Sequence, residues 1–229
     1  MSTTVRIGLL GGTFDPIHLG HLDVANAARA ALGLAEVIFV PSCVPPHRPH
    51  APAASGYHRF AMVALTLTAE DVYRASDMEL NAERPSYTSR TLATLGQGGV
   101  DPSQLFFITG ADAFADISTW HEYPGVLDRS HFIVVSRPGH RASDLARQLP
   151  DIASRMEDSG HLDRVHQEAG KTSIWLVESK TRDISSSDIR VRVASGQPVR
   201  GLVAPSVGTY IERHRLYAFD RGVDRNLHG

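Results

Sequence analysis

Two histidines three residues apart lie near the start of the chain, within the stretch GGTFDPIHLGH at residues 11–21. If a helix begins near Leu19, His18 lies at its start and His21 one turn later, so that both rings face the same anion. The helix N-terminus adds partial positive charge and unpaired amides at that point. The stretch therefore predicts an anion site, and a phosphate is the anion that suits it.

The residues before these histidines indicate what kind of phosphate site this is. Gly11 and Gly12 let the backbone approach a ligand closely, and Thr13 adds a hydroxyl and an amide beside them. The sequence contains neither the G-x-G-x-x-G dinucleotide pattern nor the G-x-x-x-x-G-K-[ST] phosphate loop at this point. We therefore expect another phosphate chemistry, without the lysine of an ordinary phosphate loop.

Two other interpretations of this stretch compete with a phosphate site. It could be a strand-to-helix turn in which the glycines provide tightness and the histidines are incidental, but the whole string would then be coincidence. A zinc site is the second, but H-x-x-H supplies only two ligands and no third is evident nearby. We therefore rank the phosphate site first and expect no metal held by the protein alone.

A second stretch with similar chemistry is ISSSDIR at residues 184–190, at the start of a late helix. Ser185 is expected to cap this helix, with Asp188 three residues on, and that alone would explain the motif. Paired with the histidine stretch it gains a function, because serine hydroxyls and free amides at a helix start suit a polyphosphate. Arg190 can reach the same charge.

The segment PPHRP at residues 45–49 places His47 and Arg48 between prolines. It lies in a proline-rich loop, residues 41–56, that directly follows a predicted strand. A solvated surface loop is the ordinary interpretation, but the position beyond a strand favours a mobile active-site loop that closes on ligands. We expect Arg48 to supply charge when the loop closes.

Three shorter groups are weaker individually: PSYT at 85–88, GAD at 110–112 and TW at 119–120. Ser86 or a neighbouring residue is expected to cap the helix that contains the tyrosine and the threonine. The aspartate of the second group follows a predicted strand. Trp120 offers a flat face for a ring, although a lone tryptophan is as easily explained as part of the core.

The elements that must position these groups alternate between strands and helices. Apolar runs typical of buried strands lie at Val5–Leu10, Glu36–Val40, Val72–Ala75, Leu105–Thr109, His131–Ser136 and Ser173–Val177. Apolar residues at helical spacing lie at Leu19–Leu32, Tyr57–Thr68, Tyr87–Leu95, Ser186–Ala194 and Ser206–His214. This alternation predicts an α/β fold with a doubly wound, mostly parallel sheet. Ligands bind such a sheet beyond the carboxyl ends of its strands, where the strand order reverses.

The organisation of the chain is expected to be simple. Residues 1–217 are predicted to form a single domain, and residues 218–229 a disordered tail without apolar periodicity. The polar stretch at residues 141–170 has only a weak helical pattern at Leu145–Met156. We therefore place that stretch at the periphery of the domain, in part disordered.

The composition excludes several classes of protein. The chain has 229 residues, of which 42% are hydrophobic, and this suffices for one sizeable core. A formal net charge of -2, with both signs interspersed, gives no basic field for non-specific nucleic-acid binding. The single cysteine, Cys43, excludes an intrachain disulfide and a multi-cysteine metal site. Without a secretion signal or an apolar stretch of membrane-spanning length, we expect a cytoplasmic protein that binds no membrane.

Together, GGTFDPIHLGH and ISSSDIR make the sequence resemble the nucleotidylyltransferase superfamily, whose markers are an H-x-G-H motif and a late I-S-S-[ST]-x-I-R motif. The groups PPHRP, PSYT, GAD, TW and the RPG at Arg137–Gly139 narrow the resemblance to bacterial nicotinate-nucleotide adenylyltransferases. The resemblance implies a Rossmann-like nucleotidylyltransferase fold. It also implies adenylyl transfer from ATP to nicotinate mononucleotide with Mg²⁺, which gives nicotinate adenine dinucleotide and pyrophosphate in NAD biosynthesis.

The resemblance also assigns roles to individual residues. The catalytic residues that it implies are His18, His21 and Arg190. The residues implied to bind ATP are these three together with Gly11, Gly12, Thr13, Phe14, Ser186 and Ser187. The residues implied to bind nicotinate mononucleotide are His47, Arg48, Tyr87, Thr88, Asp112, Trp120 and Arg137. Relatives often carry asparagine where this chain has Ser42 and Cys43, and residues 141–170 match the family poorly.

Other members of the superfamily are alternatives. One is a sister adenylyltransferase that acts on phosphopantetheine or nicotinamide mononucleotide, and another is a nucleotide-binding relative without activity. PSYT and TW argue against phosphopantetheine, and His18, His21 and Arg190 argue against lost activity. In the implied reaction the attacking group is a phosphate oxygen of the substrate, already anionic, so positioning and charge neutralisation suffice. The sequence leaves open whether the protein is a homo-oligomer.

Overall fold

A computed structural model of the protein describes residues 5–44, 51–81, 85–159 and 171–218. The strands in these ranges are β1 (Ile7–Gly12), β2 (Glu36–Pro41), β3 (Tyr73–Ala75), β4 (Leu105–Gly110), β5 (His131–Val135), β6 (Met156–Asp158) and β7 (Ile174–Val177). They form one sheet in the order β3-β2-β1-β4-β5-β7-β6. Each neighbouring pair is parallel, which confirms the predicted α/β class and makes the described sheet parallel throughout.

The helices cover this sheet and follow the predicted pattern closely. They are α1 (Leu19–Leu32), α2 (Gly56–Leu67), α3 (Thr88–Gln97), α4 (Ala111–Phe114), α5 (Leu145–Gln148), α6 (Ser186–Ala194) and α7 (Pro205–Arg213). α1 and α6 begin and end at the predicted residues, and α2, α3 and α7 deviate by one or two residues at their ends. α1 ends at Leu32, and the next residue, Gly33, has a φ of +61° that lets its N–H turn back to the carbonyl oxygen of Arg29.

The core lies in two layers, one on each face of the sheet, because neighbouring residues of a strand point to opposite faces. Leu10 and Phe106 pack with buried residues of α1, α2, α6 and α7. Leu9 and Phe107 pack on the other face with buried residues of α3, α4 and α5. The helices therefore lie on both faces, as the doubly wound prediction requires.

This arrangement opens a crevice at the carboxyl ends of β1 and β4. β2 and β3 lie on one side of β1, whereas β4 and the remaining strands continue on the other. α1 follows β1 on one face, and α4 follows β4 on the opposite face. The switch point predicted to bind ligands is thus formed between β1 and β4.

The stretch at residues 141–170 differs from its prediction. The helical residues end at Gln148, a 3-10 turn covers Pro150–Arg155, and Met156–Asp158 forms the edge strand β6 beside β7. The prediction that a helical pattern runs through Met156 was therefore wrong, and β6 was missed. A strand of three residues carries no alternation of its own, and its pairing with β7 is what defines it. Residues 160–170 lie outside the described residues.

No helix in the described part of the chain is long and apolar enough to cross a membrane. The expected cytoplasmic location stays a prediction.

Candidate active site

A cavity of about 410 Å³ lies at the switch point between β1 and β4. The predicted site residues that line it are Gly11, Gly12, Thr13, His21, Tyr87, Thr88, Asp112, Trp120 and Arg137. Those that do not line it are Phe14, His18, Ser186, Ser187 and Arg190. His47 and Arg48 lie outside the described residues. One cavity therefore brings together residues from motifs that lie more than a hundred positions apart in the sequence.

The turn after β1 brings backbone groups to the cavity wall. The ring of Phe14 lies almost fully buried behind the turn, packed against Phe39 and edge-on to His21. A Cβ at Gly12 would come within 2.9 Å of the Phe14 ring, so only glycine fits here without displacing that ring. Phe14 supports the turn from the core, and its predicted contact with ATP stays a prediction.

The two histidine rings form a stacked pair at the start of α1. Their centroids are 3.7 Å apart and their planes 25° apart. The backbone N–H of His18 donates to Nδ1 of His21 over 3.2 Å. Because Nδ1 accepts this bond, a neutral His21 ring carries its proton on Nε2. His21 is thereby oriented as a hydrogen-bond donor in the wall of the cavity.

His18 lies under His21 and is only 3% exposed. Burial, and then the positive charge of Arg137, lower the pKa of His18 to about 4. The ring is therefore neutral near pH 7 and can act as a hydrogen-bond donor without carrying a charge. Its Nδ1 has no hydrogen-bond partner among the described residues. Of the two rings expected to face the same anion, His21 lines the cavity and His18 is covered, and their contact with an anion stays a prediction.

The start of α6 docks directly on the turn after β1. Ser185 caps the helix as predicted, accepting from the backbone N–H of Asp188 at 3.0 Å. Its hydroxyl also donates to the Asp188 carboxylate at 2.7 Å. The hydroxyl of Ser186 donates to the carbonyl oxygen of Pro16 at 2.9 Å. The motifs GGTFDPIHLGH and ISSSDIR are therefore in contact, although 170 residues separate Ser186 from Pro16.

Arg190 is held by two oxygens at the same junction. Its Nη1 donates to the carbonyl oxygen of Asp15 at 2.7 Å, and its Nη2 to the hydroxyl of Ser187 at 3.1 Å. The guanidinium thus flanks the turn after β1 and lies outside the cavity wall. A phosphate at the turn would lie between the helix starts of α1 and α6, where amides and cationic groups converge.

The start of α3 forms the opposite wall of the cavity. Tyr87 is the N-cap residue, and no side chain caps the helix. Of the predicted cap by Ser86 or a neighbouring residue, the structure places the neighbour Tyr87 at the N-cap position without a side-chain hydrogen bond, whereas the Ser86 hydroxyl accepts from the backbone N–H of Cys43 at 2.9 Å. An N-terminus without a side-chain cap leaves amide donors for a ligand, and Thr88 at this helix start lines the cavity.

His121 is a wall residue that no motif had identified. Its ring stacks on Tyr87, with centroids 4.2 Å apart, and its Nδ1 is hydrogen-bonded to the Ser89 hydroxyl at 2.9 Å. The neighbouring Trp120 is half-buried, edge-on to Phe107 at 5.9 Å, so it serves both the core and the wall. The position of His121 directly after Trp120 was the only signal in the sequence.

Glu79 is a second wall residue that the sequence did not reveal. Burial raises the pKa of its carboxyl, and hydrogen bonds from Thr91 and Ser86 act in the opposite direction. Thr91 belongs to the first turn and a half of α3, so Glu79 ties that helix to the preceding segment. No local pattern marks Glu79, because its partners are defined only by the tertiary fold.

Gly110 brings two predicted residues together at the ends of β4 and β5. A Cβ at this position would overlap the carboxylate of Asp112 and lie 3.0 Å from Cγ of Arg137. Asp112 and Arg137 therefore both lie against Gly110, in space that a side chain at this position would occupy. Arg137 also reaches the carbonyl oxygen of Gly20 in α1, at 3.5 Å, and so connects the segment after β5 to the start of α1.

The two walls of the cavity differ in what they can bind. One wall carries the glycine turn, His21 and Arg137, which suit phosphate oxygens. The other carries Trp120, His121 and the uncapped start of α3, which suit a flat ring with an anionic substituent. The cavity can therefore align a polyphosphate with an aromatic nucleotide.

Comparisons with known proteins give a consistent result. Residues 9–192 match the family model described as cytidylyltransferase-like. A relative from Trichlorobacter lovleyi, named as a probable nicotinate-nucleotide adenylyltransferase, is 39% identical over 215 residues, covering 93% of this chain and 99% of the relative. A relative of the same name from Desulfitobacterium hafniense is 41% identical over 217 residues, covering 93% and 95%.

Solved structures share the fold. Nicotinic acid mononucleotide adenylyltransferase of Plasmodium falciparum, solved in complex with NaAD, aligns with a TM-score of 0.67 at 17% identity, over 93% of this chain and 97% of that one. A putative nicotinate-nucleotide adenylyltransferase of Vibrio parahaemolyticus aligns with a TM-score of 0.57 at 16% identity. At these identities the alignments establish the Rossmann-like architecture.

Proposed function

The chain belongs to the cytidylyltransferase-like family and, within it, to the nicotinate-nucleotide adenylyltransferases, and from that premise we propose that it joins ATP to nicotinate mononucleotide. The products are nicotinate adenine dinucleotide and pyrophosphate, in a late step of NAD synthesis. The observation that carries the proposal is the cavity at the switch point, whose two walls suit a polyphosphate and a flat anionic ring.

The reaction needs no nucleophile from the protein. A phosphate oxygen of nicotinate mononucleotide attacks the α-phosphorus of ATP, a new P–O bond forms, and the bond to the β-phosphate breaks. Pyrophosphate leaves with the electron pair. The protein has to align the two phosphates and stabilise the charge that develops on the departing group.

His21 and the turn after β1 supply hydrogen-bond donors for that charge. Nε2–H of His21 is fixed as a donor because Nδ1 accepts from the His18 backbone. Gly12 and Thr13 line the same wall. His18, neutral through its burial, orients His21 by stacking and becomes a second donor if His21 moves toward the phosphates.

ATP enters this proposal as its magnesium complex. The ion neutralises part of the triphosphate charge and is carried by the substrate, largely hydrated. Arg190 and the starts of α1 and α6 would face the triphosphate, and Asp112 is a carboxylate in the cavity wall that can receive a hydrated cation.

The acid form of the mononucleotide is the preferred acceptor in this proposal. The start of α3 presents amides without a side-chain cap, and a carboxylate gains charge-assisted hydrogen bonds there. The carboxamide of nicotinamide mononucleotide turns at least one N–H donor toward these donors. Each unpaired polar group costs roughly 1–3 kcal/mol, so one or two mismatches predict a preference of about ten- to several-hundredfold in kcat/KM.

The test is an assay of pyrophosphate release with ATP, Mg²⁺ and one acceptor at a time. The acceptors are nicotinate mononucleotide, nicotinamide mononucleotide and phosphopantetheine, and a reaction without acceptor is the control. We expect turnover with nicotinate mononucleotide and identification of the dinucleotide by mass spectrometry. Faster turnover with phosphopantetheine, or release that needs no acceptor, would reject the proposal, and equal kcat/KM for the two pyridine mononucleotides would reject the position of the ring.

A further inference from the structure

A buried carboxylate lies directly behind the turn after β1. Asp15 is only 2% exposed, and three donors point to its side chain. The backbone N–H of Ala53 donates to Oδ2 at 2.7 Å, and that of Ala54 to Oδ1 at 3.1 Å. The hydroxyl of Tyr217 donates to Oδ1 at 2.7 Å. The carboxylate thus connects three separate parts of the chain.

Two arginines complete this cluster, which we call the Asp15 cluster: Asp15, Arg59, Arg190 and Tyr217. Arg59 is buried in α2, with Nη1 donating to the carbonyl oxygen of Thr13 at 2.7 Å and Nε to that of Ala54 at 3.2 Å. Arg190 donates to the carbonyl oxygen of Asp15 and lies 3.9 Å from its carboxylate. The backbone from Thr13 to Asp15 is therefore fixed by hydrogen bonds from the guanidinium groups of Arg59 and Arg190 and by the hydrogen bonds that the Asp15 carboxylate accepts.

Tyr217 is the most distant member of the cluster in sequence, 202 residues from Asp15. Its φ of +61° is unusual for a residue other than glycine, which indicates that surrounding contacts hold it in place. Burial, and then the negative charge of Asp15, raise the pKa of the Tyr217 hydroxyl, so it keeps the proton that it donates. The segment after α7 is thereby attached to the turn that lines the cavity.

We propose that Tyr217 is a positioning residue for adenylyl transfer, acting through Asp15 on the turn after β1 and on Arg190. This inference rests on the proposed function. The Tyr217 hydroxyl fixes the Asp15 carboxylate, the carboxylate and the Asp15 carbonyl orient Arg190, and the same backbone presents Gly12 and Thr13 to the phosphates. Misplacing such groups by a fraction of an ångström lowers the rate of the chemical step while substrate binding persists.

The test compares Tyr217→Phe with Tyr210→Phe. Both changes remove one hydroxyl, and the Tyr210 hydroxyl is hydrogen-bonded to Nδ1 of His58 at 2.9 Å and not to Asp15. We expect Tyr217→Phe to lower kcat per folded enzyme about tenfold, with KM for nicotinate mononucleotide changed by less than about twofold. Tyr210→Phe should keep the wild-type kcat, although it also loses a hydrogen bond.

Hydrogen exchange gives a second readout that does not depend on activity. The amides of Ala53 and Ala54 donate to Asp15, so they should exchange faster in Tyr217→Phe and at the wild-type rate in Tyr210→Phe. An unchanged kcat in Tyr217→Phe, or equal losses in the two variants, would overturn the inference. A wild-type protein inactive with ATP and nicotinate mononucleotide would reject the proposed function, and unchanged exchange at Ala53 and Ala54 would then reject the coupling to Asp15 as well.

Discussion

His18 lies beyond the carboxyl end of β1, whereas His131 lies at the amino end of β5. The two residues share two properties. Each is only 3% exposed, and each has a pKa lowered to about 4. For His131 the causes are burial, then the charges of Arg6 and Arg155, against a backbone hydrogen bond that acts in the other direction. Burial and a lowered pKa therefore do not by themselves distinguish a binding residue from a structural one.

The surroundings of the two rings do distinguish them. His131 stacks on Phe106 at 4.7 Å, and its Nδ1 accepts from the backbone N–H of Ser173, which joins the starts of β5 and β7. His18 stacks on His21, which lines the cavity at the carboxyl edge. A buried histidine is therefore a candidate for a binding or catalytic role when its partner ring faces a cavity. It has a structural role when its partner is the backbone of a strand.

Replacement of the histidine pair should have the largest effect on activity. His21→Ala should lower kcat about a hundredfold, because a positioned donor to a developing charge contributes on the order of 3 kcal/mol. His18→Ala should lose a similar factor, since His21 loses its stacking partner. The measurement is kcat per folded protein, with the folded fraction taken from circular dichroism. Near-normal turnover in a well-folded double variant would contradict the assignment.

His131→Ala is the matched change at the opposite edge. It removes the stack on Phe106 and leaves the Ser173 N–H without its acceptor, so the free energy of unfolding should fall by about 2 kcal/mol. Urea denaturation measures this loss. Because His131 is far from the cavity, kcat of the folded fraction should stay at the wild-type value, and a large loss of turnover would erase the distinction between the two histidines.

Gly110→Ala disturbs the site at the carboxyl ends of the strands without changing a histidine. The added methyl group would overlap the Asp112 carboxylate and press on Arg137. We expect kcat/KM for nicotinate mononucleotide to fall about tenfold, or roughly 1.4 kcal/mol, through misplacement of these two side chains. Gly125→Ala is the control, since a Cβ there meets nothing within 4 Å. Equal kinetics for the two variants would remove Asp112 and Arg137 from the site.

The smallest expected effect is on the free energy of unfolding at acid pH. His18 and His131 resist protonation in the folded state down to a pKa of about 4, whereas an unfolded histidine accepts a proton near pH 6.5. The two histidines should therefore not reduce the free energy of unfolding above pH 6.5, and it should fall as the pH drops from 6.5 toward 4. His131→Ala should reduce the slope of this fall by up to about 1.4 kcal/mol per pH unit, measured by denaturation at several pH values. An unchanged slope would show that His131 does not titrate as described.

The sequence predicts best what local contacts determine. α1 and α6 were predicted at their full lengths because a glycine ends one and Ser185 caps the other. The carboxyl end of β4 was predicted to within one residue and that of β1 to within two, because the apolar runs stop at glycines that the strands still include.

Other features depend on contacts distant in sequence and could not be predicted. β6 is defined by pairing with β7, and His121 enters the wall by stacking on Tyr87. The burial of His18 depends on how α1 packs near Arg137, and the Asp15–Tyr217 contact joins the two ends of the described chain. Periodicity and motif spacing carry no information on such pairs.

The most direct test of where the chemistry lies is an NMR titration of the histidine ring signals with ATP and Mg²⁺, assigned by single histidine replacements. We predict that the signals of His18 and His21 shift on addition of ATP, because a phosphate approaches the pair, whereas the signal of His131 stays in place. Shifts at His131 with unchanged signals from His18 and His21 would contradict the assignment of the phosphate site to the carboxyl edge of the sheet.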